Sequence, residues 1–443
     1  MLETFFLIVK QVSDFIWGWP LIIIFLLFGI FATGYLYFAQ FRYFLASWKL
    51  VLFPAEMEQK TSGEMTPFQA FINTLGAGTG NGSLAGVAVA IYAGGPGAAF
   101  WLLVAGFLAM IMRFAEIFVA TSISSTGVIK GGPMVYLTKV PGGKFLPTIF
   151  AAFMLTFGLA TGNAMQANSI ALGIFQTWAI SKMITAAILF AFMTYVVFGG
   201  AARIINVSAK LVPFKVGLFM VSFIALLGYH YAALWYGIKL IFLSALAPEA
   251  VGGAALGITM QTMIKYGFSK SLSATEAGLG SAGILFGATG STNPMKDSIM
   301  SLLGIFISNV ICFMVALAIV VSGVWDNGLS STALTISAFN TMLGQYGGWL
   351  VTVLSVSFGA GVMVPYAFIC KESWSFLTGG RWLNLYFLIY VVTAFLGSIA
   401  DVSLLWNFVE IFSAILLLVN LYGVTYLLPY IRRNMKKYMV EVR

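Results

Sequence analysis

The chain has 443 residues, 60% of them hydrophobic and only 8% charged, with a mean hydropathy of +0.97 and a formal net charge of +9. That composition excludes a water-soluble globular domain and describes a polytopic membrane protein. Two cysteines and a single histidine are too few for a disulfide scaffold or a metal cluster.

A helix needs about 20 apolar residues to cross a bilayer. Eleven runs qualify, at 19–40, 68–92, 97–121, 147–172, 180–198, 211–230, 253–290, 298–322, 347–370, 383–399 and 405–430, the seventh overlong. The first is too long and aromatic for a cleaved signal peptide, and no small-residue cleavage site follows it. The second is interrupted by GAGTGNGSLAG at 76–86. The third carries Arg113 and Glu116, whose spacing permits an i,i+3 pair that anchors orientation and gating. In the fourth, GLATGNAMQANSIALG places Asn163 and Gln166 on one face. Gln166 facing a substrate is the favoured reading; interhelical glue, worth about 0.6 kcal/mol per bond, stands close behind.

After the sixth span, an interfacial helix is expected over 233–247 on the outer face, with Trp235 and Tyr236 at headgroup level and Pro248 as its stop. His230 at its start reads more simply as an interfacial polar residue than as a proton relay. The overlong seventh span holds a second glycine-rich stretch, SLSATEAGLGSAGILFGATG at 271–290. Glu276 lies at its break, either capping the half-helix that follows or pairing at a gate. Lys265 and Lys270 line a vestibule or, more simply, snorkel to the surface. Cys312 and Cys370 fall in apolar spans and read as small core residues.

Setting the first span aside leaves two groups of five, and an odd number per group requires opposite topologies in the membrane. Each group opens with a glycine-rich, polar-interrupted span. Irregular backbone in hydrocarbon leaves N–H and C=O groups unpaired at several kcal/mol each unless protein or a cavity satisfies them. Paired interruptions therefore point to a transporter site between inverted repeats, although single glycine-rich spans more often serve helix packing. The expected divisions are 1–65 (extra helix and first loop), 66–230 (first repeat), 231–252 (interfacial linker), 253–431 (inverted repeat) and 432–443 (basic tail). With the amino terminus outside, eighteen basic residues fall in inner segments, Arg113 and Lys215 among them. Only Lys10, Lys182 and Lys239 stay outside, which sets the orientation and removes any need for nucleic acid. An intramembrane enzyme lacks a convergent nucleophile and base here.

TPFQAF at 66–71, SLAGVAVAIYAGGPGAAFW at 83–101, RFAE from Arg113, GGPM at 131–134, GNAMQANSIA at 162–171, AKLVPF at 209–214, SATEAGLGSA at 273–282 and NPMKDSIMSLLGIFI at 293–307 occur in order. Together they resemble the alanine or glycine:cation symporter family over most of residues 66–322, with a weaker echo to the end. The resemblance implies an all-α polytopic fold, a LeuT-type core of two inverted five-helix repeats with one extra N-terminal helix. It also implies sodium-coupled uptake of a small neutral amino acid, no cofactor beyond the transported cation, and a multi-pass place in the plasma (inner) membrane; the alternative is a proton-coupled or uncoupled amino-acid transporter that has lost a sodium site. Its substrate positions would be Thr79, Gly80, Gln166, Ser273, Thr275, Met363 and Ala367; its cation positions Gly78, Asn81, Ser83 and Ser355; its gating or capping positions Glu276, Arg113 and Glu116. Departures from the family pattern are Ser83 for an asparagine, Ser273 and Thr275 for Phe and Asn, and Val362, Met363 and Ala367 for two Thr and a Trp. Ser355 and Ser357 replace the lost hydroxyls only if the local alignment slips. The lost aromatics imply room for a side chain bulkier than that of alanine.

Overall fold

A computed structural model describes residues 9, 11–13, 15–54, 63–246, 259–400 and 405–438; Lys10, Lys60, Pro248 and Arg443 lie outside them. All regular structure in the described residues is helical. The main helices are α1 Trp19–Tyr35, α2 Phe44–Leu52, α3 Pro67–Gly78, α4 Gly82–Gly94, α5 Ala98–Ser122, α6 Leu146–Leu159, α7 Met165–Trp178, α8 Lys182–Val197 and α9 Gly200–Tyr229. They continue as α10 Tyr231–Leu246, α11 Met260–Thr275, α12 Ser281–Gly287, α13 Pro294–Val321, α14 Ser331–Leu343, α15 Tyr346–Thr378, α16 Leu383–Ile399 and α17 Leu405–Tyr438. A π-helical turn over Ala160–Ala164 joins α6 to α7.

Among the described residues six helices are long and apolar enough to cross a membrane: α5, α6 with α7, α9, α13, α15 and most of α17. They coincide with the expected spans at 97–121, 147–172, 211–230, 298–322, 347–370 and 405–430. The spans at 19–40, 180–198 and 383–399 fall on the shorter apolar helices α1, α8 and α16. The spans at 68–92 and 253–290 are each divided, into α3 with α4 and α11 with α12. Leu27, Ile30, Leu45, Val221 and Ile224 lie more than half exposed on the perimeter, as lipid-facing side chains do. This is a multi-pass membrane protein.

Both divided helices begin on the same local device. Thr66 and Gln69 form a capping box ahead of α3, with Pro67 in the first turn, and Thr259 and Thr262 do the same for α11. Their ends differ. Thr79 leaves α3 at φ −114° and ψ 87°, whereas Glu276 leaves α11 at φ +51°, followed by Gly278 and Gly280 at φ +78° and +88°. Left-handed backbone costs a non-glycine residue of order 1 kcal/mol or more, so Glu276 must be held there by its surroundings.

Packing sorts the helices into interior and rim. In the apolar windows of α5 and α15, 78% and 83% of residues are buried, against 33% for α9, so α5 and α15 form the centre and α9 shows a broad face to lipid. Helix α5 packs on α11, α12 and α13; α15 packs on α3, α6, α7 and α9. The divided helices lie between them, α3 touching α9, α12, α13 and α15. A helix, α10, covers the stretch expected over 233–247, with Trp235 and Tyr236 73% and 66% exposed. His230 bonds the Met342 carbonyl at 3.0 Å, satisfying an acceptor at the end of α14.

Candidate functional site

The two breaks face each other. A methyl on Gly78 would stand 3.3 Å from the Thr275 carbonyl, so the C-terminal ends of α3 and α11 meet without an intervening side chain. Each end leaves carbonyls that the helix cannot satisfy, and two buried cations on neighbouring helices take them.

Arg113 on α5 serves α11. It is 1% exposed, and its Nη2 donates to the carbonyls of Thr275 at 2.9 Å and Glu276 at 3.2 Å. A guanidinium at a helix C-terminus matches both the free acceptors and the dipole. One turn on, Glu116 serves the other half-helix: its Oε1 accepts the Gly283 N–H of α12 at 2.8 Å and its Oε2 the Asn420 amide at 3.2 Å. Asn420 also donates to the Gly278 carbonyl at 2.8 Å and accepts from the Tyr136 hydroxyl. The three-residue spacing puts Arg113 and Glu116 on one face, but each bonds its own half of the broken helix; no ion pair joins them among the described residues.

Glu276 sits between these two anchors, 6% exposed. Its carboxylate accepts from the Tyr366 hydroxyl of α15 at 2.6 Å and from the Ser281 hydroxyl at 2.9 Å. It therefore holds a side chain of α12 and a helix of the opposite wall. Tyr366 stands over Gly158 and Gly162 of the fourth span, where a methyl on Gly162 would overlap its ring. Here the glycines serve close packing.

Lys215 on α9 serves α3. Its Nζ donates to the Gly76 carbonyl at 2.9 Å and the Thr79 carbonyl at 2.6 Å, and lies 5.5 Å from the centre of the Phe358 ring. Lys215 and Arg113, which by sequence fall among the cations of the inner segments, are both buried, Lys215 completely. The signal was present, since VPFKVG sets a lysine inside an apolar run, where a charge marks function by default.

The remaining sequence candidates divide by position. Gly80 lies beneath Gln166 and Val362; Gln166 Oε1 accepts the Asn81 N–H at 3.3 Å, and its Nε2 donates to the Thr161 carbonyl at 3.1 Å. Both side-chain atoms of Asn81 and the hydroxyl of Thr161 are buried without a partner, and the buried hydroxyl of Ser83 meets only the Cys312 thiol. These orphaned groups cluster at the α3–α4 break, and buried polar groups require partners. The hydroxyls of Thr79 and Thr275 are spent within their own helices, on the carbonyls of Leu75 and Ser271. Ser273 is exposed and bonds back to the Ser269 carbonyl at 3.0 Å. Met363 and Ala367 are buried, with carbonyls that accept the hydroxyls of Tyr390 and Tyr386; Val362 presents its methyl to Gly80. Ser355 lies beside Gly173 of α7, and Ser357 bonds the Leu354 carbonyl. Asn163 donates to the Tyr390 carbonyl at 2.7 Å and so ties α16 to the fourth span. Lys270 lies 3.9 Å from Glu410, and Lys265 rests over the ring of Tyr266. Tyr366, Asn420 and Tyr136, which complete the cluster, carry no sequence signal of their own.

The model of the sodium:alanine symporter family matches residues 3–443. An uncharacterized transporter of Haemophilus influenzae is 30% identical, over 98% of this chain and 96% of its own length. The sodium/alanine symporter AgcS of Methanococcus maripaludis is 30% identical over 94% of this chain and 93% of its own. The probable sodium/glutamine symporter GlnT of Bacillus subtilis is 27% identical over 97% and 90%. Among solved structures, a manganese transporter mutant from Eremococcus coleocola covers 82% of this chain and 78% of its own, at 13% identity and a TM-score of 0.48.

Proposed function

The chain belongs to the sodium:alanine symporter family, and on that premise we propose that it is a secondary active transporter which carries a neutral amino acid by cation-coupled symport. The observation that carries the reading is the pair of facing breaks, with orphaned amide and hydroxyl groups gathered at one of them. The substrate carboxylate lies on the N–H groups opening α4, where the dipole is positive, and the ammonium lies near Gln166 and the free carbonyls. Two inverted five-helix repeats, 66–230 and 253–431, rock around this site in alternating access, with the amino terminus outside. The names of the relatives favour sodium as the coupling cation. A second reading, transport that has lost a sodium site, draws support from Lys215, whose ammonium occupies two of the freed carbonyls.

A ligand that binds only the folded state stabilises it by mass action. Alanine, glycine or glutamine at a hundredfold excess over Kd is expected to raise the melting temperature of the purified protein by about 2 °C or more. A screen of the twenty amino acids in which none, or only acidic or basic ones, raised it would overturn the assignment of substrate class.

A further inference from the structure

The α3 break holds a pocket of converging carbonyls, and the cation inside it is part of the chain. Gly76 and Thr79 contribute two carbonyls, each bonded to Lys215 Nζ. Gly361 leaves a third carbonyl nearby without its helix donor, because Pro365, four residues on in α15, has no N–H to bond it. The three are close: a methyl on Gly76 would lie 3.0 Å from the Gly361 carbonyl, and a methyl on Gly361 would lie 2.6 Å from Nζ. Glycine at 361 leaves room for the lysine, and glycine at 76 lets α3 approach α9 and α15.

The choice of residue is specific. An ammonium is a compact charge with three donors and no acceptor, so it asks of its surroundings what a dehydrated monovalent cation asks, a ring of oxygens. The Phe358 face adds a further cation contact. Nor is the lysine stranded on the wrong side of its helix by accident of space. Its neighbour Phe214 is 62% exposed, so α9 offers a lipid-facing surface from which a long side chain would snorkel to water, yet Lys215 is fully buried.

We propose that the Lys215 ammonium is a tethered cation that takes the place of a transported sodium ion at the α3 break, so that amino-acid uptake by this chain does not depend on sodium. The inference rests on the transport reading above and departs from it in the coupling ion. Every turn of the cycle then begins with the carbonyls of Gly76 and Thr79 already satisfied, and substrate alone completes the site.

The test is uptake of labelled L-alanine by the full chain in proteoliposomes, with inward gradients of NaCl or of KCl. Wild-type rates are expected to agree within about twofold in the two salts, and Lys215→Met, isosteric but uncharged, to lose about tenfold or more in both. Lys215→Ala, which vacates the pocket, is expected to become sodium-dependent, about threefold faster in NaCl; a merely structural lysine would leave no such dependence. A wild type about tenfold faster in NaCl than in KCl, or a Lys215→Met protein as fast as wild type, overturns the proposal. The salt comparison on wild type decides the matter even if a variant fails to fold. Absence of uptake of any neutral amino acid by wild type overturns the transport reading instead; melting temperatures in the two salts, equal for wild type and higher in NaCl for Lys215→Ala, then still read the pocket.

Discussion

Arg113→Met is expected to abolish uptake and to lower stability by about 3–5 kcal/mol, the loss typical of breaking a buried charge network by removing one partner. Its guanidinium closes α11 through the carbonyls of Thr275 and Glu276, and without it both acceptors are buried unpaired. The carboxylates of Glu116 and Glu276 would also lose the positive charge whose field they share. Because Glu276 is held at φ +51°, losing the bond to its carbonyl frees the backbone to relax out of the break. Arg113→Lys keeps the charge but not the forked donors, so it should recover part of the stability and little of the uptake. Thermal unfolding in detergent, with proteoliposome uptake on the same preparations, reads both effects. An Arg113→Met protein with wild-type melting would show that the break is not held from α5.

The second large effect is steric. Gly162→Ala places a methyl into the ring of Tyr366, and forcing volume into a well-packed core costs about 1–3 kcal/mol. Tyr366 cannot retreat freely, since its hydroxyl holds Glu276 at 2.6 Å. The substitution should therefore part α15 from the fourth span and slow uptake about tenfold or more. Tyr366→Phe separates the two causes: it removes the bond to Glu276, worth about 1.5–3 kcal/mol for a charged acceptor, and leaves the packing alone. If Gly162→Ala transports and melts as wild type does, the close approach of the two helices is not needed.

Much of this was legible along the chain, and the reason is local chemistry. Runs of apolar residues announce spans because a bilayer tolerates little else, and glycine-rich, polar stretches within them mark where a helix fails. Arg113, Glu116 and Glu276 stood out as charges within apolar sequence. What they touch did not: the spacing of Arg113 and Glu116 suggested a mutual pair, whereas they cap opposite halves of one broken helix 160 or so residues away, by bonds that only the tertiary fold creates. Lys215 was misplaced for a related reason. It lies at the start of an apolar run, where a count of loop charges claims it, and only the approach of α3, whose carbonyls it bonds, shows that it turns inward. Tyr366 and Asn420 are ordinary residues of apolar helices until Glu276 and Gly278 are brought against them.

The central claim is that a neutral amino acid binds between the two breaks. A rival location exists, a cavity of about 740 Å³ lined by Gln176, Asn340 and Trp349 at the junction of α7, α14 and α15. Equilibrium binding of labelled L-alanine to the purified protein distinguishes them. Asn81→Leu, which replaces the orphaned amide at the α3–α4 break, is predicted to weaken binding about tenfold or more, while Gln176→Leu leaves it unchanged. Binding that survives Asn81→Leu and is lost in Gln176→Leu would contradict the account.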